Sequence, residues 1–131
     1  MLLSPSFADA EIRYVTTLPG LPEKSKILNF EIISDCNRNR PLSVLFCIFQ
    51  AAVILLRFRP HLVVSTGAAP GLICLGIGKL LGARTIWVDS VANGQRLSMS
   101  GKLAGRFCDL QLTQWAHLAT PAGPRYLGSV L

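Results

Sequence analysis

The sequence predicts an α/β fold, a parallel sheet with helices on both faces. Three observations predict it. Short apolar runs with strand character alternate with helical stretches at the spacing of βαβ units. The stretch Val63-Val64-Ser65-Thr66-Gly67-Ala68-Ala69-Pro70-Gly71 takes a strand into a small-residue loop and a helix start, the unit from which such sheets bind ligands. Half of the 131 residues are hydrophobic, enough to bury a real core. By length, residues 1–131 form a single domain.

Residues 1–9 read as a tail. Residues 11–16 alternate as a first strand, and Pro19, Gly20 and Pro22 break the chain after it. Residues 27–33 form a second strand, and 34–40 a polar loop. Residues 42–56 are the most hydrophobic segment, with Ser43 and Gln50 as its polar members. Pro41 suits the first turn of a helix there and Pro60 ends it. Arg38, Arg40, Arg57 and Arg59 flank it. Its length falls short of the roughly 18–20 residues that span a bilayer. Two compatible placements remain open. One is a crossover helix packed on the sheet; the other is a helix lying at a membrane interface, its ends held by arginines at headgroup phosphates.

Residues 61–66 make the third strand, and a helix over 72–81 follows, stopped by Gly82. Gly76 and Gly78 inside it suggest close approach to the sheet, since glycine costs a helix interior about 1 kcal/mol relative to alanine. Residues 84–89 are the fourth strand. Ser98 or Ser100 can cap a short helix over 102–107. Residues 109–114 are the fifth strand, Trp115 and His117 sit in the turn after it, and residues 126–131 form a last strand. The whole is Rossmann-like.

Charged residues make up only 15% of the chain and its mean hydropathy is +0.44, low charge for a free-standing soluble surface. Either much of that surface is buried against a partner or a membrane, or the chain is part of something larger. The net charge of +6 suits phosphorylated ligands or an anionic membrane, but the arginines are scattered without aromatic interleaving, so no nucleic acid is expected. Cys36, Cys47, Cys74 and Cys108 form no CxxC pair and read as reduced, buried thiols of a cytosolic protein. Pro5, Asp9 and Glu11 interrupt any apolar leader, so no signal peptide is expected.

Ligands of such sheets bind beyond the strand C-termini, which selects the loops 65–71, 89–100 and 114–117. The first offers bare backbone N–H groups from Thr66, Gly67, Ala68 and Gly71, with Pro70 in the helix start, a fit for phosphate. The second carries Asp89, Ser90, Asn93, Ser98, Ser100 and Lys102. Ser100-Gly101-Lys102 is not a phosphate loop of the ATPase kind, because Gly94 lies seven residues before Gly101 and Leu103 follows the lysine. Asp89, the one candidate catalytic group, suits a general base, a sugar-hydroxyl acceptor or a helix-capping carboxylate. The third loop adds Gln114 and Trp115 to the cleft, with His117 read as packed or solvated. No Ser/His/Asp set, metal site or organic cofactor is expected.

The ordered motifs Ser65–Gly71, Trp87-Val88-Asp89-Ser90, Leu97-Ser98-Met99-Ser100-Gly101-Lys102-Leu103 and Leu112-Thr113-Gln114-Trp115 say more together. Over roughly residues 10–131 the chain resembles the membrane-anchoring subunit of the split UDP-N-acetylglucosamine transferase of lipid-linked oligosaccharide synthesis, and its bacterial exopolysaccharide-synthesis relatives. The resemblance implies the N-terminal half of a GT-B glycosyltransferase, a hexosyltransferase subunit inactive without its partner. A separate catalytic subunit would carry the UDP-sugar site. This half would face the polyprenyl-diphosphate acceptor at the cytosolic face of the membrane, with Thr66, Gly67, Ala68, Pro70, Gly71, Ser98, Ser100 and Lys102 beside the acceptor phosphates. Asp89, Ser90, Asn93, Gln114 and Trp115 would line the cleft. The alternative is a non-catalytic membrane tether that recruits the partner. Members of the family begin with a strand and a Gly-Gly-His-type loop, often after a membrane segment, and Met1 starts after both. The resemblance therefore implies a truncated product or misplaced start, two flanking strands without their shared neighbour, and low stability or lost activity for the chain alone.

Overall fold

In the computed structural model, which describes residues 7–20 and 29–128, strands β1 (Tyr14–Thr16) and β2 (Phe30–Ile32) pair in parallel, Tyr14 opposite Phe30 and Thr16 opposite Ile32. Helix α1 (Pro41–Phe58) carries the chain to β3 (Leu62–Ser65). Then follow α2 (Ala68–Leu80), β4 (Arg84–Val88), α3 (Met99–Ala104), β5 (Leu110–Leu112) and a 3-10 turn (Ala116–Leu118). The strands β3, β4 and β5 form a second parallel sheet in that order, Val64 opposite Ile86 and Ile86 opposite Leu110. The α/β class with parallel strands thus holds. The strands make two sheets rather than one, and among the described residues β1 pairs only with β2 and β3 only with β4.

Local chemistry sets the element ends. Pro41 opens α1, where its missing N–H is no loss. The helix runs two residues past the expected end, to Phe58, and reaches 18 residues, within the range that spans a bilayer rather than short of it. Arg59 closes it in a left-handed conformation (φ 47°), its amide donating to the Leu55 carbonyl at 2.8 Å. Gln50, polar in an apolar helix, accepts the Ser34 amide at 2.8 Å and so ties α1 to the exit of β2. Helix α2 starts four residues before the expected position, at Ala68. The expected stop is there, Gly82 at φ 87° just beyond the Leu81 cap. Helix α3 starts three residues early because Ser98 is its cap, the Ser98 hydroxyl accepting the Gly101 amide at 2.8 Å. The last expected strand is not formed in its described part. Arg125 makes one parallel bridge to Leu112, and 126–128 are irregular. Residues 1–6, 27, 28 and 129–131 of the expected elements, and Pro22, lie outside the described residues.

The helices pack on one side. Right-handed crossovers advancing in one direction place α2 and α3 on the same face of the β3–β4–β5 sheet. Trp87 and Leu75, both fully buried, meet Ala104 there. On the opposite face Leu62 and Val64 are each 36% exposed at the β3 edge, while Val88 on β4 is buried. A second core joins Ile33 and Cys36 to Cys47 on α1 and Cys74 on α2. Burial, and then the neighbouring Cys36, pushes the Cys47 thiol up to about 12, and burial pushes Cys74 up to about 11.

Only one of the two helix glycines marks close packing. A β-carbon on Gly78 would lie 2.7 Å from Val63 Cγ2, whereas one on Gly76 meets nothing within 4 Å. Gly76→Ala is therefore expected to raise stability by about 0.5–1 kcal/mol, the gain in helix propensity, and Gly78→Ala to lower it by about 1–3 kcal/mol through overpacking. Urea denaturation of the two variants checks both signs.

At the entrance to β5, Asp109 accepts the Thr85 amide at 2.8 Å and pairs with the Lys79 ammonium. The Lys79 hydrogen bond, followed by that of the Thr85 amide, pulls the Asp109 carboxyl from 3.8 to about 2. A folded-state value below the unfolded one adds stability above pH ~4, and that stability fades as pH falls from about 4 to 2. Asp109→Asn should flatten this part of the acid-unfolding curve, read by circular dichroism, and leave the slope above pH 5 unchanged.

Candidate functional site

The C-terminal ends of β4 and β5 are organised by one buried carboxylate. Asp89 follows β4 and is 2% exposed. Its Oδ1 accepts the Ser98 hydroxyl at 2.7 Å and the Trp87 indole N–H at 3.2 Å; its Oδ2 accepts the Ser98 amide at 3.1 Å. Ser98 in turn caps α3, so the strand end, the loop 89–98 and the helix start share one charge. Asp89 thus supports the helix cap through Ser98 rather than capping the helix itself, and its burial turns it away from solvent.

The second and third expected loops interlock. The Gln114 amide donates to the Asp89 carbonyl at 3.0 Å. The Trp115 indole N–H donates to the Val91 carbonyl at 2.9 Å, and His117 Nε2 lies 2.6 Å from the Gly94 carbonyl. His117 therefore packs: it fixes the loop, its ring tilted against Trp115 at 5.9 Å. Ser90 accepts the Ala92 amide through its hydroxyl at 3.2 Å and so turns the same loop. Gln95, Arg96 and Lys102 face outward, exposed, with Asn93 and Ser100 half-buried and Trp115 39% exposed.

The first loop lies at the end of the neighbouring strand β3. Gly67 sits at φ 142°, ψ −176°, a region that side chains disfavour, and Ala68 takes φ 62°. Ser65 is buried, and a β-carbon on Gly71 would stand 2.1 Å from its hydroxyl, so the turn admits only glycine there. No side chain caps α2 and no acid occupies its first turn, which leaves the amides of Ala68 and Ala69 as donors; Pro70 has none, and the Gly71 amide makes the first bond of the helix itself. Thr66 is exposed beside them.

One contributor went unselected. The loop 34–40 also follows a strand C-terminus, and its Arg38 reaches α3, Nη1 3.6 Å from Met99 Sδ. The signal was available in the rule that selected the other loops, since β2 ends where that loop starts. Among the described residues no group of three His, Cys, Asp or Glu side chains could hold a metal ion. Two cavities lie at the other end of the sheet, about 250 Å³ beside Asp109 and Gly123 and about 810 Å³ beside Arg59 and Arg84. The C-terminal edge itself is an open wall.

Gly101 makes that wall sensitive. A β-carbon there would lie 2.9 Å from both Asp89 Oδ1 and Ser98 Oγ. Gly101→Ala should destabilise the chain by about 1–3 kcal/mol, and the fluorescence of Trp87 should report the disturbance.

Comparison with known proteins places this geometry. A crystal structure of MurG from Acinetobacter baumannii matches with a TM-score of 0.76 at 10% identity, over 94% of this chain and 38% of that one, which shows the fold of a GT-B domain. The UDP-N-acetylglucosamine transferase subunit ALG14 of Yarrowia lipolytica is 38% identical over 78 residues, covering 54% of this chain. The match takes in 36% of that relative, so the chain spans about a third of its length. The profile described as "Oligosaccharide biosynthesis protein Alg14 like" matches residues 32–130, and the chain belongs to that Alg14-like family.

Proposed function

We propose that this chain is the acceptor-side subunit of a UDP-N-acetylglucosamine transferase acting in lipid-linked oligosaccharide or exopolysaccharide synthesis. A separate subunit binds the UDP-sugar, and the sugar passes to a polyprenyl-diphosphate acceptor. The observation that carries this reading is the wall itself. The uncapped start of α2 and the exposed Lys102 present donors and charge for a diphosphate, along the edge where parallel sheets bind ligands. Thr66, Gly67, Ala68, Pro70 and Gly71 shape the first phosphate position in this reading, and Ser98, Ser100 and Lys102 the second. Ser90, Asn93, Gln114 and Trp115 line the approach to the partner.

The membrane supplies the lipid end. Helix α1 buries Cys47, Ala51 and Leu55 and exposes Leu42, Leu45, Phe46, Phe49 and Leu56 on the opposite side. A helix whose inner stripe packs along its length on α2 does not cross a bilayer by itself. It lies in the cytosolic interface with its outer stripe among acyl chains.

The tether-only alternative has one observation in its favour. Asp89, the sole carboxylate on the three loops, is buried and bonded to Ser98 and Trp87, so these loops offer no solvent-facing carboxylate. The test is sugar transfer by the chain co-purified with its partner. In the acceptor-binding reading Lys102→Ala raises KM for the lipid diphosphate about tenfold or more, the cost of one charge-assisted hydrogen bond, while the complex stays intact. Transfer unchanged by Lys102→Ala and by Asn93→Ala together would leave the tether.

A further inference from the structure

The exposed stripe of α1 does not end on bare surface. At its C-terminal end it runs into the cavity of about 810 Å³ below the sheet, and Leu56 belongs to both. Leu62 and Leu81 continue the apolar wall, while Arg59, His61 and Arg84 supply its polar rim. The ion pairs among the described residues are Arg13–Glu31 and Lys79–Asp109, so Arg59 and Arg84 have no carboxylate partner there. The adjoining Arg57 is exposed as well. The C-terminal ends of α1 and α2 bring about half a negative charge each to this region. Three arginines exceed that, and the cavity keeps a net positive field. Arg59 does not swing freely at its backbone, because its amide is bonded to the Leu55 carbonyl and its left-handed turn sets where the side chain leaves the helix.

We propose that this cavity takes the phosphate of an anionic phospholipid, with the acyl chains lying along the outer stripe of α1. The proposal rests on α1 lying in the membrane interface and adds a lipid preference to it. The chemistry selects this ligand. Guanidinium groups fork onto phosphate oxygens, and the leucines beside them continue directly into a face suited to hydrocarbon. A free phosphate would leave the leucine wall wet, and a nucleotide would find no Phe, Tyr or Trp ring among the lining residues.

Flotation of the full chain decides it, on vesicles of phosphatidylcholine alone and of phosphatidylcholine mixed with phosphatidylglycerol. The expected result is binding to both, stronger on the anionic vesicles. Arg59→Asn with Arg84→Gln should lower anionic partitioning roughly twenty- to thirtyfold, about fivefold for each arginine near the surface, and leave neutral vesicles unaffected. Arg106→Gln with Arg125→Gln removes the same charge away from the cavity and should cost less than about threefold. Should the first pair fail to fold by circular dichroism, Arg84→Gln alone carries the test at about fivefold. Equal losses in the two pairs, or flotation indifferent to lipid charge, would overturn the anionic cavity and leave the interface helix standing. Absence of flotation on either vesicle would overturn both.

Discussion

A carboxylate taken out of water must be bonded on every side, or its burial costs several kcal/mol. Asp89 offsets much of that cost with three donors drawn from Trp87 and Ser98, two on Oδ1 and one on Oδ2. The consequence is structural. Trp87 fills the core between α2 and α3 while its indole N–H points at the carboxylate, so the hydrophobic core and the polar loop are fixed by the same side chain. Ser98 passes the constraint to Gly101 and α3. Gln114 catches the Asp89 carbonyl and passes it to the turn after β5. A wall assembled from two separate loops thereby behaves as one rigid piece, and a rigid wall is what a diphosphate needs if its position is to be set before a partner closes over it.

Much of this was legible because it depends on neighbours in sequence. Pro41 and Gly82 act within one turn, and the strands declare themselves by short apolar runs. The helix boundaries were less legible. Ser98 and Ser100 are equally good caps on paper, and the choice between them falls to Asp89, nine residues upstream, which holds Ser98 by two bonds. The state of Asp89 was illegible for the same reason, since sequence leaves open whether a carboxylate after a strand faces water or the Trp87 indole. The last expected strand was apolar enough, yet its described residues, 126–128, are irregular and the bridge to Leu112 is made by Arg125 just before them.

The sheet edges show a different limit. Local pattern predicts that β1 and β3 are strands; it does not say what lies beside them. Among the described residues each pairs with one other strand, and β3 turns Leu62 and Val64 toward a half-open face. Such edges recruit other chain segments. Among the described residues the two sheets are held in relation through the core of Ile33, Cys36, Cys47 and Cys74 and through the Gln50 bond to Ser34. Those contacts all involve or adjoin α1.

That dependence constrains how α1 can meet a membrane. In a parallel α/β arrangement the crossover helix runs antiparallel to the strands, so α1 starts at the same end of the fold as the Asp89 wall and finishes about 27 Å away at the Arg59–Arg84 cavity. A helix standing across the bilayer would pull its inner stripe off α2 and open the core that joins the sheets. A helix lying in the interface keeps that core, and it lays the strand axes parallel to the membrane surface. The C-terminal wall then opens sideways along the bilayer. In the function proposed above, an acceptor whose diphosphate sits at headgroup depth and whose polyprenyl chain stays in the lipid would reach such a wall by lateral diffusion, without leaving the membrane.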